Sequence, residues 1–169
     1  DYLFVNYFVH KIYYAIIKKI TKGENMENKE FDFSKMVCFL LNSTSNAMIR
    51  EYRPYLDEFQ LTYPQYLVMM TLWNEDNILI KDISKETYFD SGTLTPILKR
   101  LEEKSYIQRV PSLEDERGKL IKLTQNGKEL KEKTSHIFKN MECKIELSKE
   151  EQEEISRICN KILTKLAKK

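Results

Sequence analysis

Residues 90–124 read DSGTLTPILKRLEEKSYIQRVPSLEDERGKLIKLT, and two periodicities follow one another along them. Leu94, Ile97, Leu98 and Leu101 recur at i, i+3, i+4 and i+7, the apolar stripe of an α-helix. The other side shows Ser91, Thr93, Thr95, Lys99 and Arg100, with no acid until Glu102. Two β-prone runs come next, Tyr106–Val110 and Lys119–Thr124. The eight residues joining them, Pro111 to Gly118, suit a β-hairpin with a protruding tip. An amphipathic helix with a small polar face, followed by a hairpin, is the second half of a winged helix-turn-helix.

The first half lies just upstream. Thr62-Tyr63-Pro64-Gln65 is a helix start, with Thr62 as N-cap, Pro64 in the first turn and Gln65 at the capping-box position. The helix it opens has Tyr66, Met69, Met70 and Trp73 on one face. Ile80 and Ile83 mark a short helix, and Tyr88 to Gly92 a turn. Further out, Asp32 or Ser34 is expected to cap a long helix bearing Phe33, Met36, Val37, Leu40, Leu41, Met48, Tyr52, Tyr55 and Phe59. Pro54 must kink or break that helix. Thr124 opens another long helix, and Ser148 with Glu151 forms a capping box for the last. The expected fold is mainly α. It has a winged helix-turn-helix lobe over about 62–124, long flanking helices over about 33–59 and 125–167, and a short β-hairpin wing.

Composition narrows the function classes. The 169 residues are 41% hydrophobic and 32% charged with four Gly and four Pro, which excludes a disordered or collagen-like chain. A net charge of +2 is too small to argue for nucleic acid by itself, so any polyanion binding depends on where the charges sit. Cys38, Cys143 and Cys159 lie far apart without CxxC spacing, which excludes a disulfide framework or a zinc module. His10 and His136 have no companion at metal-ligand spacing, and no cofactor is called for.

Residues 2–17 are apolar and aromatic but interrupted by Asn6, His10 and Lys11, too short for a spanning helix and a poor signal peptide. No membrane partner is therefore expected, and the cytoplasm is the expected location. Lys22-Gly23-Glu24-Asn25 stands before Met26, and its codons can spell a purine-rich ribosome-binding sequence. Residues 1–25 are thus read as translated upstream DNA, or else as an extra N-terminal helix packing on a partner, and 26–169 as the domain.

The element order points to DNA. A helix about 10–12 Å across fits the major groove, and polar residues at its N-terminus reach phosphates and base edges. Ser91, Thr93 and Thr95 are small enough for close approach, while Lys99, Arg100 and Lys119 supply charge. In the hairpin tip, Arg117 can enter a narrow minor groove, with Asp115 holding its guanidinium.

Those segments also carry a resemblance. Leu61-Thr-Tyr-Pro-Gln-Tyr66, Asp90-Ser-Gly-Thr-Leu-Thr-Pro96, Leu98-Lys-Arg-Leu-Glu102, Asp115-Glu-Arg117 and Leu123-Thr-Gln-Asn-Gly127 stand in the order seen in MarR-family repressors. Over roughly residues 33–167 the chain resembles the thiol-based organic-hydroperoxide sensors and staphylococcal redox regulators of that family. The resemblance implies a homodimer with interleaved terminal helices, the flanking helices serving dimerisation, and two winged lobes on a pseudo-palindromic double-stranded operator. The terminal helices, too apolar to stand alone, agree with that.

Cys38 falls near the start of the first long helix, where a thiolate is favoured over a thiol. The plain alternative is a small buried hydrophobe. In the sensors that this chain resembles, a Cys of this helix is hydrogen-bonded by tyrosines across the dimer interface, and Tyr52 and Tyr63 match those positions. A third Tyr often found one turn after the Cys is Asn42 here. Cys143 resembles the resolving Cys of two-cysteine members, while Cys159 lies in the apolar pattern of the last helix and is expected in the core.

Three functions follow as expectations. The first is a repressor that leaves its operator when a peroxide or other oxidant converts Cys38 to a sulfenic acid, then to an inter-subunit disulfide with Cys143. The second is a MarR-type regulator released by a small aromatic inducer, with Cys38 structural. The third, a thiol peroxidase, lacks any peroxidase motif and leaves the DNA-reading elements unexplained, so no enzyme is expected.

Overall fold

The computed structural model describes residues 32–111 and 119–166. The readings made for residues 1–25 and for Asp115 and Arg117 of the hairpin tip lie outside the described residues. The chain divides at Arg53/Pro54 into two compact units.

In the first unit Asp32 caps only a 3₁₀ turn, Phe33–Lys35, its carboxylate accepting from Ser34 N at 3.1 Å. Met36 is extended, and the long helix begins one residue later as α1, Val37–Asp57. The expected cap therefore serves a separate turn, because the chain must change direction at Met36 before it can coil. Helix α1 runs through Pro54 without a break, and the unit boundary falls at that proline, which has no N–H to give.

The second unit continues with α2 (Tyr63–Asn74), β1 (Ile78–Leu79), α3 (Ile80–Thr87), α4 (Ser91–Glu103), β2 (Ile107–Pro111), β3 (Lys119–Leu123), α5 (Gln125–Ile145) and α6 (Lys149–Leu166). The Thr62–Gln65 capping box forms as expected, and so does that of Ser148 with Glu151. The expected hairpin is present, with β2 and β3 antiparallel in a register that pairs Ile107 with Leu123 and Val110 with Leu120. Ile78–Leu79 adds a third strand beside β3, giving the order β1-β3-β2. Two residues carry no periodicity, so nothing in the sequence marked that strand.

Helix α2 is the hub, packing on α3, α4, α5 and β3. Its Tyr66, Val68, Met69 and Leu72 are buried with Ile83, Leu94, Leu98, Leu101, Ile107, Ile121 and Leu130 from around it. Each such side chain contributes about 1.5–3 kcal/mol by leaving water. Of the face expected from Tyr66, Met69, Met70 and Trp73, the first two are buried and the last two half-buried, and since α2 is enclosed on several sides Val68 and Leu72 are buried as well. Polar ties fix the frame. Asp76 Oδ1 accepts from Leu123 N at 2.8 Å, Trp73 Nε1 donates to Gly127 O at 2.9 Å, and Lys131 Nζ donates to Trp73 O at 3.0 Å.

The terminal helices differ. Helix α6 buries no residue: Ile155, Ile158 and Leu166 are exposed, and Cys159, expected in the core, is half-buried. On α1, Val37, Leu40 and Leu41 are exposed as well. An apolar stripe becomes core only where something packs on it, and among the described residues nothing covers these stripes. No described helix is long and apolar enough to cross a membrane.

Candidate DNA interface and thiol site

The elements expected to read DNA are α3, the turn after it, and α4. Tyr88 ends α3 in the left-handed conformation, φ 57° and ψ 18°, which costs a non-glycine residue roughly 1–2 kcal/mol. Ser84 Oγ donates to Phe89 O at 2.5 Å, and Phe89 N to Thr87 Oγ1 at 3.4 Å, so both ends of the turn are held. Asp90 then caps α4, accepting from Thr93 N on Oδ1 and from the Thr93 hydroxyl on Oδ2, both at 2.9 Å. Those two bonds hold its carboxyl below the usual carboxylate range. A side chain at Gly92 would meet Asp90 Oδ1 at 3.0 Å, so glycine keeps the cap unobstructed.

Helix α4 has the two faces expected. Leu94, Leu98 and Leu101 are buried, and Ser91, Thr93, Thr95, Lys99 and Arg100 are exposed. Arg100 Nη1 lies 3.2 Å from Glu103, and Lys99 Nζ 4.0 Å from the same carboxylate. Exposed pairs of this kind are worth at most about 1 kcal/mol, so both cations are readily exchanged onto phosphate. Lys119 is exposed where β3 leaves the wing.

Two braces were not foreseen from the sequence. Glu102 accepts from Arg109 N at 3.2 Å and lies 3.3 Å from Arg109 Nε, too oblique for a hydrogen bond there but an ion pair nonetheless. This fixes the wing strand β2 on the recognition helix. Lys104, at the C-terminal end of α4, donates to Gln60 O and to Gln65 Oε1, the oxygen that also completes the α2 capping box. Burial lowers the Lys104 ammonium below its ordinary value, and Arg100 nearby adds to the shift. Neither brace has a sequence signal, because the partners are brought together only by the fold.

Cys38 is the second residue of α1, in its first turn, and it is exposed. Among the described residues of the single chain, nothing encloses it. Cys143 is also exposed, near the end of α5. Tyr52 is buried on the same helix as Cys38, and 14 residues of helix separate the two by about 21 Å. A Tyr52 hydroxyl can therefore reach Cys38 only from another chain. Tyr63 opens α2 half-buried, and burial pushes its phenol above the ordinary value, so it stays protonated as a donor. His136 is exposed, edge-on to Tyr55 with centroids 6.4 Å apart. No group of His, Cys, Asp and Glu able to hold a metal exists among the described residues. An open groove of about 690 Å³ between α2 and α3 is lined by Glu75, Asp82 and Glu86 as well as Leu67 and Met70. Three carboxylates on an open surface are unlike the enclosed apolar pocket that a small aromatic ligand needs.

Comparison with known proteins agrees with this geometry. The family model described as transcriptional regulator SarA/Rot matches residues 50–134. The organic hydroperoxide resistance transcriptional regulator of Bacillus subtilis is 42% identical over 144 residues, covering 83% of this chain and 95% of the relative. This chain is a MarR-family transcriptional regulator. The SarZ regulator of Staphylococcus saprophyticus is 41% identical to it, covering 69% of this chain and 80% of the relative. Among solved structures, reduced AbfR bound to DNA matches the regulator with a TM-score of 0.66 and 31% identity, covering 77% of this chain and 90% of the other. AbfR is also solved overoxidised on DNA and in a disulfide form. The winged-helix fold, the DNA-binding regulatory role and the lack of enzymatic activity expected from the sequence all stand.

Proposed function

We propose that this regulator is a homodimeric repressor that leaves its operator when an oxidant attacks Cys38. The observation that carries the reading is an exposed thiol in the first turn of α1, in a chain so similar to a hydroperoxide-resistance regulator. A peroxide transfers one oxygen to the Cys38 thiolate and, with a proton, leaves as alcohol. The sulfenic acid then condenses with a Cys143 thiol of the partner chain, forming the S–S bond and releasing water. The exposed apolar faces of α1 and α6 support the homodimer, and a two-fold dimer suits a pseudo-palindromic site of two half-sites. AbfR, a structural relative, binds DNA both reduced and overoxidised and also forms a disulfide. That favours the disulfide, rather than the higher oxides, as the releasing species.

A promoter gel shift with reduced and peroxide-treated protein tests the reading. Wild type should lose the shifted band on oxidation and regain it with a thiol reductant, and Cys38→Ser should keep it throughout. If Cys38→Ser responds to peroxide like wild type, a ligand-released regulator with a structural Cys38 replaces this reading.

Two residue-level expectations attach to it. Arg117→Ala should weaken operator binding by about 1–3 kcal/mol with the dimer intact, and Lys99→Ala should lower the salt slope of binding by about 1. Ser91, Thr93, Thr95, Arg100, Asp115 and Lys119 complete the proposed contact set. Wild-type affinity in the Arg117 variant would remove the wing from recognition. Tyr52→Phe and Tyr63→Phe should each slow oxidation and alkylation of Cys38 by removing a donor to the thiolate. Fold and reduced-state DNA affinity should stay as they are. Unchanged alkylation rates across neutral pH in both variants would reject the tyrosine assignment.

A further inference from the structure

We propose that Tyr88, in the turn between α3 and α4, is a DNA-backbone contact, its hydroxyl donating to a phosphate beside the groove that α4 enters. The inference rests on the DNA-binding role and names a residue for it outside the recognition helix.

Tyr88 is 65% exposed, more than any other described aromatic residue. A large ring left in water gains nothing from packing, and here it also occupies a left-handed position, φ 57°, that glycine takes without steric cost. The other left-handed non-glycine residues of the described chain, Gln60, Asn77, Ser105 and Glu146, are all polar. Folding alone thus gives no reason for an aromatic residue here.

The surroundings say what the ring can meet. Phe89 is half-buried and its carbonyl is held by Ser84 Oγ, while Thr87 Oγ1 donates to Ile83 O at 2.7 Å and accepts from Phe89 N. The backbone carrying Tyr88 is therefore fixed before any partner arrives, so little freedom is lost on contact. Three residues later begins α4, with Ser91 and Thr93 exposed at the end that approaches DNA. The acids nearest in sequence are Asp90, whose two oxygens are both occupied by Thr93, and Glu86, which lines the groove between α2 and α3. Lys85, exposed on the last turn of α3, offsets the charge of its neighbour Glu86. A phenol combines a donor for phosphate with a flat apolar face for sugar, and tyrosine is among the side chains that bond DNA phosphates.

A phosphate contact carries no sequence information, so its loss must weaken binding to operator and mixed-sequence duplexes alike. The test measures binding of reduced full-length protein to a promoter fragment and to a 30-base-pair mixed-sequence duplex, with thermal melting alongside. Tyr88→Phe should weaken both complexes about tenfold, the loss of one hydrogen bond to a charged acceptor. Tyr88→Gly should weaken them at least as much while melting at the same temperature or higher. Arg100→Ala serves as the control for the recognition helix. If Arg100→Ala loses affinity and both Tyr88 variants bind like wild type, the proposal is overturned. A Tyr88→Gly protein that melts lower makes the tyrosine structural and overturns it too. Wild-type protein that binds neither duplex would instead overturn the DNA-binding role itself.

Discussion

Gly127→Ala is expected to lower the melting temperature of the regulator by about 10 °C, the result of losing roughly 3 kcal/mol or more in a chain of this size. A Cβ built on Gly127 stands 2.0 Å from the Tyr106 carbonyl oxygen and 3.0 Å from its carbon, so the new atom overlaps backbone and not a movable side chain. Neither partner can retreat cheaply. Tyr106 O already accepts from Thr124 N at 3.0 Å and from Thr124 Oγ1 at 3.1 Å, and those bonds anchor Thr124, the N-cap of α5. Gly127 donates its own N–H to Thr124 Oγ1 at 3.1 Å and accepts from Trp73 Nε1 through its carbonyl. Relieving the overlap therefore breaks the α5 cap or pulls α5 off α2. Asn126→Ala, one residue earlier and exposed, should melt within about 2 °C of wild type, since substitutions at such sites stay within about 0.5 kcal/mol. A Gly127→Ala protein that melts with wild type would mean that the start of α5 can slide without loss.

The same glycine illustrates how much the sequence disclosed. Leu123-Thr-Gln-Asn-Gly127 reads locally as a helix start with Thr124 as its cap, which the structure bears out. Why Gly127 must lack a side chain cannot be read locally, because the obstacle is Tyr106, twenty-one residues back. The pattern holds elsewhere. Period and caps revealed α2, α4, the hairpin and both faces of the recognition helix, since each is written within one turn or one strand. The Glu102–Arg109 and Lys104–Gln65 braces, and the two-residue strand β1, depend on tertiary closeness and left no local trace.

The terminal helices mark a different limit. An apolar stripe in sequence says that a face will be covered, not by what. Ile155, Ile158, Val37, Leu40 and Leu41 have the spacing of core residues and remain exposed in the single chain. Cys159 lies on such a face, and with no buried residue on α6 it is half-buried and not part of the core. The same fact strengthens the proposed dimer, because exposed apolar stripes on both terminal helices are what an interleaved two-fold interface would consume.

After peroxide treatment, non-reducing electrophoresis is expected to show nearly all of the wild-type protein as a covalent dimer, and none in Cys38→Ser or Cys143→Ser. Cys159→Ser should cross-link like wild type, since Cys159 is half-buried where the other two thiols are exposed. The two thiols proposed to react are 105 residues apart in sequence, on α1 and α5. In an interleaved dimer the resolving thiol comes from the partner chain, which is why the product should be a dimer and not a monomer with an internal bridge. The bridge needs Cα atoms about 4.4–6.8 Å apart, so helices not already placed for it must shift. Because α5 is tied to α2 through Gly127 and Lys131, and α2 packs on the recognition helix, a shift of α5 is carried to α4. On the proposed reading, two lobes displaced in this way would lose half-site spacing and release the operator. Cys143→Ser separates this step from the first one. Its Cys38 should still oxidise, yet without a partner thiol the protein should stay on DNA or leave it only when a small cellular thiol caps the sulfenic acid. A wild-type gel that shows monomer alone, together with lost DNA binding, would keep Cys38 as the sensor and reject Cys143 as its partner.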